Sequence, residues 1–364
     1  MTLLLTVIFV ALVFEYINGF HDTANSIACI VSTKVLTPRL AVLLAAGTNL
    51  WGALGGVAVA KTISSGLVDT KFVTSQTIVA ALIGAIIWNL ITWWFGLPSS
   101  SSHALIGGLC GATLASAGGQ WSALIWAHSV PGMPWWKYQG IFWKVVIPMV
   151  ASPLIGFCVG FLWMAILYIV VQSWRPATVR QTFGFFQIFA AGYMGHSHGT
   201  NDAQKTMGII ALAVVNATQM GALDHAPAWL SFLHASPSAP PDSIPVWIKV
   251  LCATVMAAGT AAGGWRIIRT MGHKMVRLQT INGFAADTTS ATVLTVAAHF
   301  GMPVSTTHAI TASIMGVGSA KRINALNIPV VQRILLAWVL TLPAAGVMGY
   351  CMAQLFMAMG VGKV

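Results

Sequence analysis

Between residues 141 and 172 the chain carries one charged side chain, Lys144, in a stretch that is otherwise apolar apart from a few polar residues. A helix needs about 20 predominantly apolar residues to cross a bilayer core, so this stretch is long enough to span one. Stretches of similar character recur at 1–31, 40–60, 74–96, 98–119, 182–216, 245–264, 281–300, 302–320 and 329–358. A soluble domain carries about 25% charged residues; here the figure is 7%, with 57% hydrophobic residues and a mean hydropathy of +0.80. The expectation is an all-α, multi-pass membrane protein of about ten spans.

The net charge of +11 would suit a nucleic-acid binder, but its distribution points elsewhere. Lys34, Arg39, Arg175, Arg180, Arg266, Arg269, Lys274, Arg277, Lys321 and Arg322 fall in alternate short loops, as cytoplasmic loops do. The other loops hold Lys61, Lys71, Lys137 and Lys363, and the longest connection, 217–244, has no Lys or Arg. The basic excess therefore reports orientation in a cell membrane, with both termini exterior and no nucleic-acid partner expected. The first apolar run lacks a basic leader, so no cleavable signal peptide is expected. Cys29, Cys110, Cys158, Cys252 and Cys351 stand singly, without metal-type spacing, and read as core packing.

Residues 19–28, GFHDTANSIA, place a carboxylate among lipid-compatible residues, and a degenerate copy, GTNDAQKTMG, follows at 199–208, an offset of 199 − 19 = 180. Asp22 aligns with Asp202 and Asn25 with Lys205. A second pair is closer: GLPSSSSHAL at 96–105 against GMPVSTTHAI at 301–310, an offset of 301 − 96 = 205. Both pairs keep the same order, so the chain reads as two related halves, 1–172 and 182–364, joined by a cytoplasmic linker at 173–181. Five spans per half is an odd number, which makes the halves enter the membrane in opposite directions. Inverted repeats with interrupted helices or re-entrant hairpins are a transporter plan, with the substrate at mid-membrane.

Each Gly-x-Pro motif ends a helix, because Pro lacks the N–H and clashes with the preceding turn. The hydroxyls that follow can cap the next helix start. Such a start carries partial positive charge and free donors, which suit an anion. Two starts, one per half, could converge on one oxyanion.

These motifs, with SHGTNDAQK, WNLITWWFGLPSSSSH and GMPVSTTHA quoted as they stand, resemble the inorganic phosphate transporter (Pit) family over nearly the whole chain, and its bacterial low-affinity, proton-linked branch in particular. The resemblance implies symport of phosphate with H⁺ or Na⁺ through a pseudo-symmetric site, a substrate that includes neutral metal–phosphate complexes, no resident cofactor or metal, and a homodimer. Carried over by position, the substrate site is Asp22, Asn25 and Asp202 with Ser100, Ser101, Ser102, Ser305, Thr306 and Thr307. The chemistry agrees. Hydroxyls donate to phosphate oxygens, and an ionised carboxylate accepts the O–H that phosphate retains at neutral pH. Sulfate has no such proton, so the aspartates select against it.

Four further residues are candidates for coupling the ion. Lys205 either adds positive charge beside Asp202 or extends its stem toward the headgroups. Asp287 either binds the coupling ion or caps the run Thr288, Thr289, Ser290. Glu15, seven residues before Asp22, is a relay member or a helix-interface pair with a backbone or His partner. His21 flanks Asp22 and could titrate, as could His196 and His198 beside Asp202; the i, i+2 spacing of those two points their rings apart, against a zinc site. His103 and His308 recur in both halves and read as braces. Trp93, Trp94, Trp135 and Trp136 fit interfacial belts. Competing functions are a transporter of another oxyanion, sulfate above all, or of a divalent cation; a channel; and an intramembrane hydrolase using the Ser/His pair of SSSSH. The last is opposed by duplication of the motif and by the roughly 100° between adjacent residues on a helix. No Walker-type motif suggests a pump.

Overall fold

The computed structural model describes residues 1–129, 132–133, 138–219, 221, 223–224, 227–233, 244–322 and 325–360. Trp135, Trp136, Lys137, Lys363 and much of the connection 217–244 lie outside them. Twelve α-helices follow one another among the described residues: α1 Thr2–Ser32, α2 Pro38–Ala53, α3 Ala58–Ser65, α4 Ser75–Trp94, α5 Ser101–Ser116, α6 Ile147–Val171, α7 Pro176–Gln219, α8 Val246–Ala262, α9 Trp265–Arg269, α10 Thr280–His299, α11 Thr306–Ser319 and α12 Ile328–Ala358. π-Helical turns at Phe142–Val146 and Thr270–Lys274 lead into α6 and extend α9. β-Pairing among the described residues is confined to the isolated bridges Val68–Leu124 and His128–Gln139. The fold is all-α.

Among the described residues four segments are long and apolar enough to cross a membrane: Thr2–Ser32, Ser75–Trp94, Phe142–Val171 and Ile328–Ala358. A fifth would be Val246–Ala262 with Trp265–Lys274, bent by 57° at the break. Of the other expected spans, 281–300 is the single helix α10, of bilayer length but with Asp287, Thr288, Thr289 and Ser290 in its middle, and four depart from single apolar helices for reasons that can be named. The stretch 40–60 is broken between α2 and α3, and the Gln204 side chain fills the break: its Oε1 accepts from the backbone N–H of Val59 at 2.8 Å, and its Nε2 donates to the Gly55 carbonyl at 3.3 Å. The stretch 182–216 belongs to a 44-residue helix that begins inside the expected linker, at Pro176, with proline at a helix start where its missing N–H costs nothing. At 1.5 Å per residue α7 is about 66 Å long, far more than a bilayer core requires. Helices α5 and α11, at 16 and 14 residues, are shorter than one.

Two apolar cores organise the bundle, with a polar layer where α1 and α7 pass from one to the other. The first core takes Leu4–Phe14 of α1 and Ala203–Ala217 of α7. The second takes Ala24–Ile30 of α1 and Phe183–Met194 of α7. The two long helices therefore run between the cores in opposite directions. Helix α5 contributes Ala104–Ala115 to the first core and α11 contributes Ala309–Val317 to the second, so both short helices start at the polar layer and leave it in opposite senses. The halves also exchange partners: α1 packs on α8 and α7 on α2, while α6 packs on α11 and α12 on α4 and α5.

Glycine permits the close approach of α12 to α4 and α5. A Cβ on Gly84 would lie 2.6 Å from the Gly349 nitrogen and 2.9 Å from its Cα, which is backbone that cannot step aside. Small residues at such crossings let packing and backbone contact hold helices together where lipid removes any hydrophobic drive. Gly84→Val is expected to destabilise the fold by about 1–3 kcal/mol, as overpacking does, and to lower the melting temperature of the detergent-purified protein.

Only Cys29 and Cys252 of the five cysteines are core residues. Cys110 is half-buried, while Cys158 on α6 and Cys351 on α12 are exposed. The reading of all five as core is corrected, because a membrane helix places apolar side chains outward as readily as inward.

Candidate functional site

The two Gly-x-Pro motifs fold alike. Gly96 and Gly301 adopt φ +64° and +62°, the left-handed conformation that ends a helix and that glycine reaches without strain. In one motif Gly96 N–H reaches the Trp93 carbonyl at 2.9 Å and Leu97 N–H the Thr92 carbonyl at 2.9 Å. In the other, Gly301 N–H reaches Ala298 and Met302 N–H reaches Ala297, both at 3.0 Å. Termination is thus the work of the glycine, with Pro98 and Pro303 two residues beyond it. Ser100 and Ser305 then cap α5 and α11, each Oγ accepting from the N–H of His103 or His308 at 3.1 Å. These two hydroxyl oxygens are spent on the helix starts, whereas the next two residues of each tract face the long helices.

Those residues meet the acids in a cross-linked set, all of it buried. Ser101 Oγ lies 2.7 Å from Asp22 Oδ2 and 2.6 Å from Asn18 Oδ1. Thr306 Oγ1 donates to Asp202 Oδ2 at 2.9 Å, and Thr307 Oγ1 reaches Asp22 Oδ1 at 3.4 Å. The Asn25 amide donates to Thr306 at 3.1 Å and to Thr307 at 3.0 Å. The Lys205 ammonium donates to Ser102 Oγ, to Asp202 Oδ1 and, at 3.1 Å, to the Val304 carbonyl. Matched through the two sequence offsets, Asp22–Ser101 corresponds to Asp202–Thr306, and Asn25–Thr307 to Lys205–Ser102. The second pair of bonds crosses between the halves. Of the nine substrate candidates, seven join this set directly and Ser100 and Ser305 position it.

Histidines flank both aspartates. His21 Nδ1 is 2.7 Å from Asp22 Oδ1, and its Nε2 is 3.2 Å from Thr92 Oγ1. His198 Nε2 is 3.1 Å from Asp202 Oδ2, with Nδ1 3.1 Å from Asn49 Oδ1. Asp22, His198 and Asp202 offer atoms within 4.8 Å of one another, and the cation set against them is the Lys205 ammonium. His198, expected to flank Asp202, joins the site, whereas Asn18 is a site residue that sequence reading left out. Each lies four residues before its aspartate and so on the same helix face, a spacing that could have found Asn18 as well. Gln204 and Thr206 were also missed. His196 turns away to the Trp51 ring, at a centroid distance of 4.7 Å, as the i, i+2 spacing required.

The remaining candidates sort clearly. Lys205 is 2% exposed and bonded within the site, so the headgroup-directed reading falls. Glu15 takes a hydrogen bond from Thr206, on the opposite long helix, rather than pairing with backbone or His. Asp287 is the eighth residue of α10 and caps nothing: Thr288 and Ser290 bond the carbonyls of Phe284 and Ala286 instead. Its carboxylate is buried beside the Cys29 thiol, and neither oxygen has a nitrogen or oxygen partner among the described residues. His103 and His308 meet edge to face at 4.8 Å, and His308 stacks on Trp338 at 4.0 Å. Their ring nitrogens bond no serine, so the geometry holds two braces and no Ser–His pair for nucleophilic attack.

A family model described as "Phosphate transporter family" matches residues 18–349. A protein of Bacillus subtilis (strain 168), described as "Probable low-affinity inorganic phosphate transporter", is 42% identical over 351 residues, covering 95% of this chain and 96% of its own. One of Rhizobium meliloti (strain 1021) with the same description is 43% identical over 349 residues, covering 94% and 93%. Among solved structures, one titled "The sodium-dependent phosphate transporter" has a similar fold, with a TM-score of 0.78 over 99% of this chain and 100% of that one, at 22% identity.

Proposed function

The chain belongs to the phosphate transporter family, and from that premise we propose that it is a secondary active symporter that imports inorganic phosphate with H⁺ through the site between α1, α5, α7 and α11. The observation that carries this reading is the convergence of both hydroxyl tracts on Asp22 and Asp202, with Asn25 and Lys205 bonding across the halves. The substrate residues are Asp22, Asn25, Ser101, Ser102, Asp202, Thr306 and Thr307, held by the capping Ser100 and Ser305. Phosphate replaces the bonds these groups make to one another with bonds to its four oxygens, and two helix starts add positive potential. A carboxylate accepts the substrate's own O–H.

The opposite courses of α1 and α7, the opposite exits of α5 and α11 and the exchange of helices between halves support inverted repeats, 1–172 and 182–364, whose about ten segments include α5 and α11 as re-entrant pieces rather than full passes, with the linker 173–181 on the cytoplasmic side. In this reading the protein sits in the cell membrane as a homodimer with both termini exterior, and nucleic acid is no partner. A divalent metal enters, where it does, as part of a neutral metal–phosphate cargo.

Lys205 favours H⁺ over Na⁺. Its ammonium is bonded to Asp202, where a sodium ion would meet a positive charge at contact distance, a repulsion that grows as the local dielectric falls. Glu15 and Asp287, each with at least one buried oxygen lacking a partner, are the groups to carry the proton. Asp287→Asn should retain phosphate counterflow across proteoliposome membranes while losing pH-gradient-driven accumulation, which falls to equilibration. Accumulation at the wild-type level would remove Asp287 from the coupling path. The symport reading itself is tested by radiolabelled phosphate uptake under imposed pH or Na⁺ gradients. Uptake should follow the pH gradient, and flux indifferent to both would mean a channel.

A further inference from the structure

We propose that the basic pocket where α9 meets the α4–α5 turn is a binding site for the phosphate headgroup of an anionic phospholipid. The pocket, about 380 Å³, is bounded by Trp94, Phe95, Trp265, Arg266, Arg269 and Lys274. Arg266, Arg269 and Lys274 are exposed, and none pairs with a carboxylate among the described residues. Three uncompensated cations around one concavity raise its affinity for a phosphate group of either source, lipid or free.

The surroundings select lipid. Ile87, Leu90, Ile91 and Trp94 form an exposed apolar stripe along α4, at helical spacing, and it ends at Phe95, which is 70% exposed. The basic pocket begins there, so a phosphate held by its cations lies beside an apolar surface that acyl chains can cover. The 57° bend after α8 turns α9 away from the direction of the span and brings Trp265, 47% exposed, to the rim. The pocket is built and held in place: the Arg266 guanidinium lies 4.3 Å from the Trp94 ring and 4.9 Å from that of Trp93, and it donates to the Trp94 carbonyl at 2.7 Å. Thr270 donates to the Gly96 carbonyl at 2.8 Å. Arg266 is thus committed to the turn, while Arg269 and Lys274 face the pocket free to take a headgroup. An acyl chain leaving that headgroup would run along the α4 stripe.

The test uses the full-length protein purified with phosphatidylglycerol and phosphatidylcholine, with retained lipid counted by native mass spectrometry. Against wild type, Arg269→Gln/Lys274→Gln should lose phosphatidylglycerol about 25-fold, each cation being worth roughly fivefold at an anionic surface. Phosphatidylcholine retention should not change. The charge-preserving Arg269→Lys/Lys274→Arg variant should retain phosphatidylglycerol, which separates loss of charge from loss of fold. Equal phosphatidylglycerol on wild type and the glutamine variant overturns the site. Displacement of phosphatidylglycerol from wild type by millimolar inorganic phosphate overturns the lipid assignment in favour of a free anion.

Discussion

Asp22→Asn is expected to lower phosphate uptake by about 10- to 100-fold while leaving the fold intact. An asparagine at this position still accepts from Ser101 and remains the size of the original, so the α1–α5 contact survives. What disappears is the ionised acceptor for the substrate's O–H. A hydrogen bond to a charged group is worth about 1.5–3 kcal/mol, and 1.4 kcal/mol is a factor of ten. The same change removes the repulsion that sulfate meets, so sulfate should compete better against phosphate in the variant than in the wild type. Proteoliposome uptake with sulfate as competitor reads both effects together. Unaltered phosphate uptake with an unaltered preference would remove Asp22 from the substrate site.

The second large effect is expected at Lys205, and it should appear first in stability. Asp202 is fully buried, and Lys205 is its cationic partner. Lys205→Met leaves that carboxylate with Thr306 and His198 alone. Removing one partner of a buried ion pair costs about 3–5 kcal/mol, because the remaining charge has lost its compensation. Asp202→Asn/Lys205→Met should recover most of that loss, since no uncompensated charge is left, and should still fail to transport because both groups face the substrate. Thermal unfolding of the single and double variants in detergent, beside uptake, separates the two roles. A single variant as stable as wild type would show that Lys205 does not balance Asp202.

The membrane setting, the all-α class and the two pairs of motifs were legible in the residues alone because each rests on local physics. An apolar stretch of bilayer length, a glycine that reaches the left-handed region before a proline, and a serine able to cap a helix start act within a few residues of chain. The same logic brought most of the site into view. Asp22, Asn25, Asp202, Lys205 and the hydroxyl tracts stand out as polar groups in apolar sequence. Partners were legible only as far as helical spacing reaches: Asn18 and His198 could be found at i−4 from their aspartates, whereas the bond from Thr206 to Glu15 joins residues 191 apart.

The order of residues alone establishes which groups are too costly to leave in lipid without a purpose, and where helices must stop. Which of those groups meet was decided by tertiary structure alone. The exchange of α6 and α12 between halves, the break between α2 and α3 filled by Gln204, and the α9 clamp on the α4–α5 turn depend on segments far apart in the chain. Lys205 shows the division most plainly. Its sequence context allowed a side chain reaching for headgroups or one bonded to Asp202, and the choice came from α5 and α11, which bring Ser102 and the Val304 carbonyl to its ammonium. A buried charge takes whatever compensation packing delivers to it, and that delivery has no signature in the local chain.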